Sequence, residues 1–435
     1  IGPPLMTVGP QDPGQRPVRA SRGFLGIVTG SGLAQLLIIA ATPLLARLYT
    51  PSETAHFMLL ISAASILGSF ASLKLESAIP VPVAIEESRS LFWLAVLAPL
   101  VVLPLVWAVA GVVQLAGMWT ETNWNWWDSA AVSIFVVVNG LFVAGGQLAV
   151  RLRSYGILSR IPLIQMSGTL ATQLSLGAVS YSRGLFVGSL VGRSVGITAL
   201  MRVCGVHLAQ LPPRATARAL IRQYWRFPAI FAPASLVQVA GANLPPLMLP
   251  ALFGYGPAGL FAMAMRVVGV PAAIISDSAG QVFLGEFARA TSRSDSLRIY
   301  LRWSAALLSM AIVISCGIWV LAPLLVPWAL GSAWSGTAVL AQYLGVMAGS
   351  AILGSPVQHV WTVRQRGFMQ FAWNIVRLLC TAGVIWYGAQ SGFSLERVTA
   401  ILAMATTAVY LLAWFGCLWA AARPGPGAPL RAFPG

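Results

Sequence analysis

Residues 258–284, AGLFAMAMRVVGVPAAIISDSAGQVFL, decide the class of this protein. As an α-helix rising 1.5 Å per residue the run reaches about 40 Å, more than the roughly 30 Å of a bilayer's hydrocarbon core. Its charges are Arg266 and Asp277 alone. Runs of this kind recur along the chain, at 23–46, 54–79, 91–118, 129–150, 161–180, 185–206, 228–250, 303–326, 337–360, 368–390 and 398–422. With 258–284 they make twelve expected spans, and the fold class they predict is an all-α membrane protein.

Composition agrees: 57% of the residues are hydrophobic and only 9% charged, and the mean hydropathy is +0.79. A soluble domain carries about 25% charged residues, so a soluble globular fold is excluded. The net charge of +16 comes almost wholly from arginine, since Lys74 is the only lysine. Arginines fall in the breaks between apolar runs, as the positive-inside bias predicts, rather than in a nucleic-acid-binding patch. Those on one set of loops are Arg16, Arg19, Arg22, Arg151, Arg153, Arg160, Arg214, Arg218, Arg222, Arg226, Arg289, Arg293, Arg298, Arg302, Arg364, Arg366, Arg423 and Arg431. The opposite loops hold Arg47, Arg183 and Arg397. Both termini are therefore expected in the cytoplasm, in a multi-pass bacterial inner-membrane protein.

Segments 1–22 and 423–435 read as cytoplasmic tails, the first rich in Pro and Gly and disordered, with Met6 a candidate start. The apolar run after it is too long for a cleavable signal peptide. The connection 208–227, LAQLPPRATARALIRQYWRF, divides two six-span halves, 23–207 and 228–422. TPLLARLYTP at 42–51 and PPLMLPALFGYGP at 245–257 are a faint echo of each other, of the kind that marks the transport site of a repeat-built transporter. The loop WTETNWNWWD at 119–128 offers interfacial anchors, or a surface on which sugars could stack. Cys204, Cys316, Cys380 and Cys417 stand alone, as small buried hydrophobes. With His56, His207 and His359 equally scattered, neither a metal site nor a cofactor is expected.

Three arginines lie far from any helix end. Arg193 and Arg266 sit about 12 Å from the start of their runs and Arg377 about 13 Å from the start of its own, all near the midplane. Each costs about 2.5–3.5 kcal/mol on insertion scales, so such residues usually face an interior. Gln370, Asn374, Arg377 and Thr381 follow one helical face. Arg266, Ala273, Asp277 and Gln281 follow another, and Ser62, Ser65, Ser69, Ser72 and Glu76 are read as a stripe on the second run. Either the arginines form a cationic cavity suited to phosphate oxygens, or each packs on carbonyls and snorkels. Glu76 and Asp277, near the cytoplasmic ends of their runs, are a candidate gate or ion-coupling pair, or else interfacial charges.

Several segments resemble the polysaccharide transporters, or O-antigen flippases, of the multidrug/oligosaccharidyl-lipid/polysaccharide (MOP) exporter superfamily. They are PLLARLYTP at 43–51, SLKLESAIPVP at 72–82, FPAIFAPASLVQVAGANLPPLMLPALFG at 227–254 and GLFAMAMRVVGVPAAIISDSAGQVFLGEF at 259–287. PWALGSAWSGTAVLAQYL at 327–344 and SPVQHVWTVRQRG at 355–367 continue the series, which runs from about 23 to 419. Ala55-His56 and Lys74-Leu75 depart from the family's pattern at the two ends of the second helix. The resemblance implies two six-helix bundles around a central cavity and alternating access. It implies a substrate of oligosaccharide on undecaprenyl pyrophosphate, exported for O-antigen, capsule or exopolysaccharide synthesis. Arg266, Arg377 and Arg193, with Asn374 and Gln370, would then meet the pyrophosphate. A proton or sodium gradient would drive the cycle, with membrane lipids and the polysaccharide polymerase machinery as further partners. A multidrug antiporter of the same superfamily is the nearest alternative, though it would want acids deep in the cavity. A polymerase or ligase would need a substantial external loop, and a glycosyltransferase an Asp-x-Asp pair. A transporter is expected, not an enzyme.

Overall fold

The apolar runs form helices in the computed structural model, which describes residues 18–115, 124–205, 211–290 and 292–423. The first six long helices are α1 (Val18–Leu48), α2 (Pro51–Ala71), α3 (Ile85–Leu115), α4 (Trp126–Arg151), α5 (Tyr155–Ala178) and α6 (Gly184–Cys204). A short helix, α7 (Arg214–Gln223), precedes the second set. That set is α8 (Ala232–Phe253), α9 (Tyr255–Phe287), α10 (Arg293–Leu330), α11 (Thr337–Val357) with its one-turn continuation α12 (His359–Val363), α13 (Gly367–Gln390) and α14 (Leu395–Ala421). The twelve long helices match the twelve expected spans. Ten of them, all but α3 and α5, are long and apolar enough to cross a membrane by length and composition among the described residues.

Local chemistry sets the breaks. Thr50 and Glu53 cap α2 reciprocally, side chain to backbone in both directions, and Asn125 and Asp128 do the same for α4. Ser292 and Ser394 cap α10 and α14 through their hydroxyls. At the other end of α2 the expected boundary is corrected. The helix stops at Ala71, and Leu73 and Lys74 adopt left-handed φ values of 52° and 56°. A one-turn helix, Leu75–Ala78, follows. Left-handed backbone ends a helix, so Glu76 leaves the face that carries Ser62, Ser65 and Ser69.

Two other expectations shift. Helix α1 begins at Val18, inside the expected tail, and residues 1–17 lie outside the described ones, as do 424–435. The expected linker is not merely a connection. Its helix α7 presses Leu220, 4% exposed, and Tyr224, 9% exposed, onto the N-terminal bundle, where Leu75, Ile79, Leu91 and Phe92 are buried. Of the aromatic loop at 119–128, residues through 123 are outside the described set. Trp126 stacks on Trp107 with centroids 5.7 Å apart, and Trp124 Nε1 donates to Ser129 Oγ. Cys204 and Cys417 are buried as expected, whereas Cys316 is exposed on α10 and Cys380 half-buried.

In the N-terminal bundle α5 lies between α1 and α6, and α4 packs on α2, α3 and α6. In the C-terminal bundle α11 is central, against α9, α10 and α14, while α13 packs on α8 and α14. Leu340, Ala341, Leu344 and Ile352 of α11 are the middle of that core. The bundles meet where α2 crosses α8 and α9. Several contacts cluster at the end of the helices whose loops carry few arginines. Trp334 Nε1 donates to the Ala46 carbonyl at 2.8 Å, and the His56 and Tyr255 rings lie 5.9 Å apart. Gly259 of α9 abuts the Pro51 carbonyl.

Candidate functional site

A cavity of about 500 Å³ lies inside the C-terminal bundle, walled by α8, α9, α11, α13 and α14. Its polar lining is Arg377, Asp277, Ser276, Ser355, Thr381, Thr406 and Tyr410. Two residues from the sequence reading, Arg377 and Asp277, are thus brought into one space from helices a hundred positions apart.

Arg377 is held on three sides. Its guanidinium carbon lies 5.0 Å from the Trp373 ring centroid, one turn back on α13. One Nη donates to the Gln238 carbonyl of α8 at 3.3 Å. Gly241, a turn further along α8, lets the two helices close, because a Cβ there would sit 3.3 Å from the same Nη. The Nε–H is buried with no acceptor among the described residues. An unsatisfied buried donor of this kind costs about 1–3 kcal/mol, more when charged. Stacking fixes the plane of the guanidinium and leaves its edge for an anion.

Asp277 is exposed to the cavity from α9. His359 of α12 is close enough for its ring to feel the Asp277 charge, and it packs beside Gly280, one turn along α9. Asn374 is 8% exposed, two turns before Thr381 on the face that carries Arg377. Gln370 is half-buried a further turn away.

The remaining residues are not gathered here. Arg266 is half-buried on α9 between Met265 and Val268, both of which line the cavity, but is not itself in the lining. Arg193 lies in the other bundle, its guanidinium carbon 4.9 Å from the Phe142 centroid of α4. The structure therefore places the three midplane arginines in three environments rather than one. Glu76 is 5% exposed in the N-terminal bundle, one carboxylate oxygen 3.5 Å from Lys74 Nζ and the other buried without a hydrogen-bond partner among the described residues. Asp277 lines the C-terminal cavity and Glu76 does not. Among the described residues no group of His, Cys, Asp and Glu could hold a metal.

Residues 44–339, more than half of the chain, match the model of a family described as polysaccharide biosynthesis protein. The chain belongs to that family. No curated protein matches it in sequence. Among solved structures, the lipid II flippase MurJ in an inward closed conformation superposes with a TM-score of 0.70 at 12% identity, over 90% of this chain and 87% of that one. A multidrug resistance MATE family transporter of the MOP superfamily, inward-facing, gives 0.63 at 12% identity over 90% and 93%. An outward-facing MATE family transporter gives 0.50 at 12% over 91% and 94%. These likenesses establish the two-bundle MOP fold. The family's description is of polysaccharide biosynthesis, and the fold is the one that the named MurJ and MATE transporters share.

For this family member the sequence reading missed His359, Tyr410 and Thr406. A lone histidine and two hydroxyls in apolar runs carry little signal; the break at Ser355-Pro356 before His359 was the one local hint. Gly241→Ala tests the close approach at Arg377. The added methyl should displace the guanidinium and lower transport several-fold, whereas Gly285→Ala, with open space around it and outside the cavity lining, should leave transport unchanged. A vesicle flux assay on both variants reads the difference.

Proposed function

We propose that this chain is a flippase that carries an oligosaccharide linked to undecaprenyl pyrophosphate across the bacterial inner membrane by alternating access, supplying surface polysaccharide synthesis. The observation that carries the reading is Arg377. It is a cation in the lining of a membrane-embedded cavity, its plane fixed against Trp373, and a pyrophosphate is a natural partner for its charge. Asn374 and Gln370 lie on the same helix, α13, and Arg266 lies on α9 between residues that line the cavity; Arg193, in the other bundle, would meet the substrate in a later step of the cycle. Asp277 with His359 is the candidate coupling group for a proton or sodium gradient.

By the arginine bias the arginine-rich ends are cytoplasmic, so bundle contact at the opposite ends corresponds to an inward-facing state. The higher structural likeness to inward-facing relatives supports the same assignment. The test is purified protein in vesicles loaded with undecaprenyl-pyrophosphate-linked oligosaccharide, with an impermeant lectin reporting the outer leaflet. Protein-dependent transfer is expected. Vesicles that flip no glycan but expel an organic cation against a proton gradient would instead identify a multidrug antiporter.

A further inference from the structure

Two arginines converge on a single indole at the arginine-rich end of the C-terminal bundle. Arg366, the residue that opens α13, and Arg423, just past α14, each place the guanidinium carbon 4.3 Å from the Trp419 ring centroid. A third arginine, Arg364, is close enough to Arg366 for their charges to repel. It is held by the Ser296 hydroxyl at 2.9 Å and by the Phe287 ring. Among the described residues no carboxylate pairs with any of the three. None of residues 424–435 is acidic either.

Like charges gathered on one ring need an explanation. Arg423 complements the negative end of the α14 dipole, but Arg366 sits at the positive end of α13, where a cation is disfavoured. Its side chain also makes a weak contact to Met369 Sδ at 3.9 Å. Stacking on the indole holds the two guanidinium groups and leaves their N–H edges to bind an anion.

The surface leading to this cluster is apolar. Met404, Leu411, Leu412, Phe415 and Trp419 follow one face of α14 at helical spacing, and all are exposed. Phe368 is exposed beside Arg366 at the start of α13. An apolar lane that ends in an aromatic ring between two cations has the order of parts of a lipid: acyl chain, interface, phosphate.

We propose that Arg366, Arg423 and Trp419 bind the phosphate of an anionic glycerophospholipid in the leaflet at the arginine-rich end, its acyl chain along the exposed face of α14. This site is separate from the Arg377 cavity, and the proposal does not depend on what the protein transports. Native mass spectrometry of the detergent-purified full chain, titrated with dioleoylphosphatidylglycerol or dioleoylphosphatidylcholine, tests it. The first phosphatidylglycerol should bind about tenfold more weakly to the Arg366→Gln/Arg423→Gln variant, the effect of losing one charge-assisted hydrogen bond. The Arg218→Gln/Arg222→Gln variant removes the same charge from exposed positions of α7 and should bind like the parent protein. Phosphatidylcholine should not distinguish the three proteins. If the glutamine pair fails to fold, Arg366→Lys/Arg423→Lys keeps the charge but loses the planar fork, and should give a smaller loss of the same sign. Equal losses in the α7 variant would reduce the effect to diffuse charge, and equal affinity for phosphatidylcholine, whose phosphate is balanced by choline, would remove the selectivity for a net anionic headgroup. Displacement of the lipid by millimolar inorganic phosphate would make this a site for soluble phosphate. Any of these three results overturns the proposal.

Discussion

Replacing Arg377 by alanine is expected to abolish delivery of the lipid-linked glycan to the outer leaflet while the protein still inserts and folds. A charge-assisted hydrogen bond to a phosphate contributes about 1.5–3 kcal/mol, so its loss alone weakens binding by roughly ten- to a hundredfold. Arg377→Ala also removes the stack on Trp373 and the bond to the Gln238 carbonyl, which confounds structure with function. Arg377→Met separates them, because it keeps most of the apolar stem and removes only the charge and its donors. Arg377→Lys should recover part of the activity, a point charge in place of an oriented fork. The measurement is lectin-detected flipping in vesicles beside thermal unfolding of each variant in detergent. Normal flipping by Arg377→Met would remove Arg377 from the substrate site and with it the main support for a pyrophosphate cargo. Loss of flipping with an unchanged unfolding temperature would support it.

That residue was visible in the sequence as a charge at the wrong depth. Hydropathy and helical rise were enough to find twelve long helices and to put Arg193, Arg266 and Arg377 far from the ends of theirs, because the bilayer imposes one length scale on every helix. Helical periodicity also grouped Arg377 with Asn374 and Thr381 correctly, since a face is a local property. What each face meets is not local. The sequence could not show that α6 turns Arg193 onto Phe142 of α4, or that α8 and α11 close a cavity over Arg377 and leave Arg266 out of its lining. Position along a helix was legible; neighbours were not.

The second helix shows a different kind of limit. Nothing in SLKLES marks Leu73 and Lys74 for left-handed backbone, since neither is Gly or Asn, and a continuous helix was the natural reading. That turn moves Glu76 off the serine face and into the core of the N-terminal bundle. The supposed partnership with Asp277 rested on both acids lying on unbroken helices at matching depth. His359 was obscured for a related reason: the five residues of α12 are too few to show a period, so its approach to Asp277 appears only once α9 and α11 are packed.

The contact between the bundles gives the other large expected effect. Gly259 lies so close to the start of α2 that a Cβ on it would overlap the Pro51 carbonyl oxygen, an atom of backbone that cannot rotate away. Gly259→Ala is therefore expected to push α9 from α2 at the arginine-poor end. The neighbouring bond from Trp334 Nε1 to the Ala46 carbonyl should weaken with it. Overpacking of this kind costs about 1–3 kcal/mol, which alters a two-state population ratio by roughly five- to a hundredfold. Only the state in which α2 and α9 touch bears that cost, so the equilibrium should move toward the state open at that end. Spin labels at Ser52 and Ser332, both exposed beside the contact, can report it by double electron–electron resonance once Cys204, Cys316, Cys380 and Cys417 are replaced by alanine. The distance distribution should gain a longer component in Gly259→Ala and not in Gly256→Ala, where the same helix has open space for a methyl. A longer component in both variants would trace the change to helix propensity rather than contact. An unchanged distribution in Gly259→Ala would mean that this contact does not hold the bundles together.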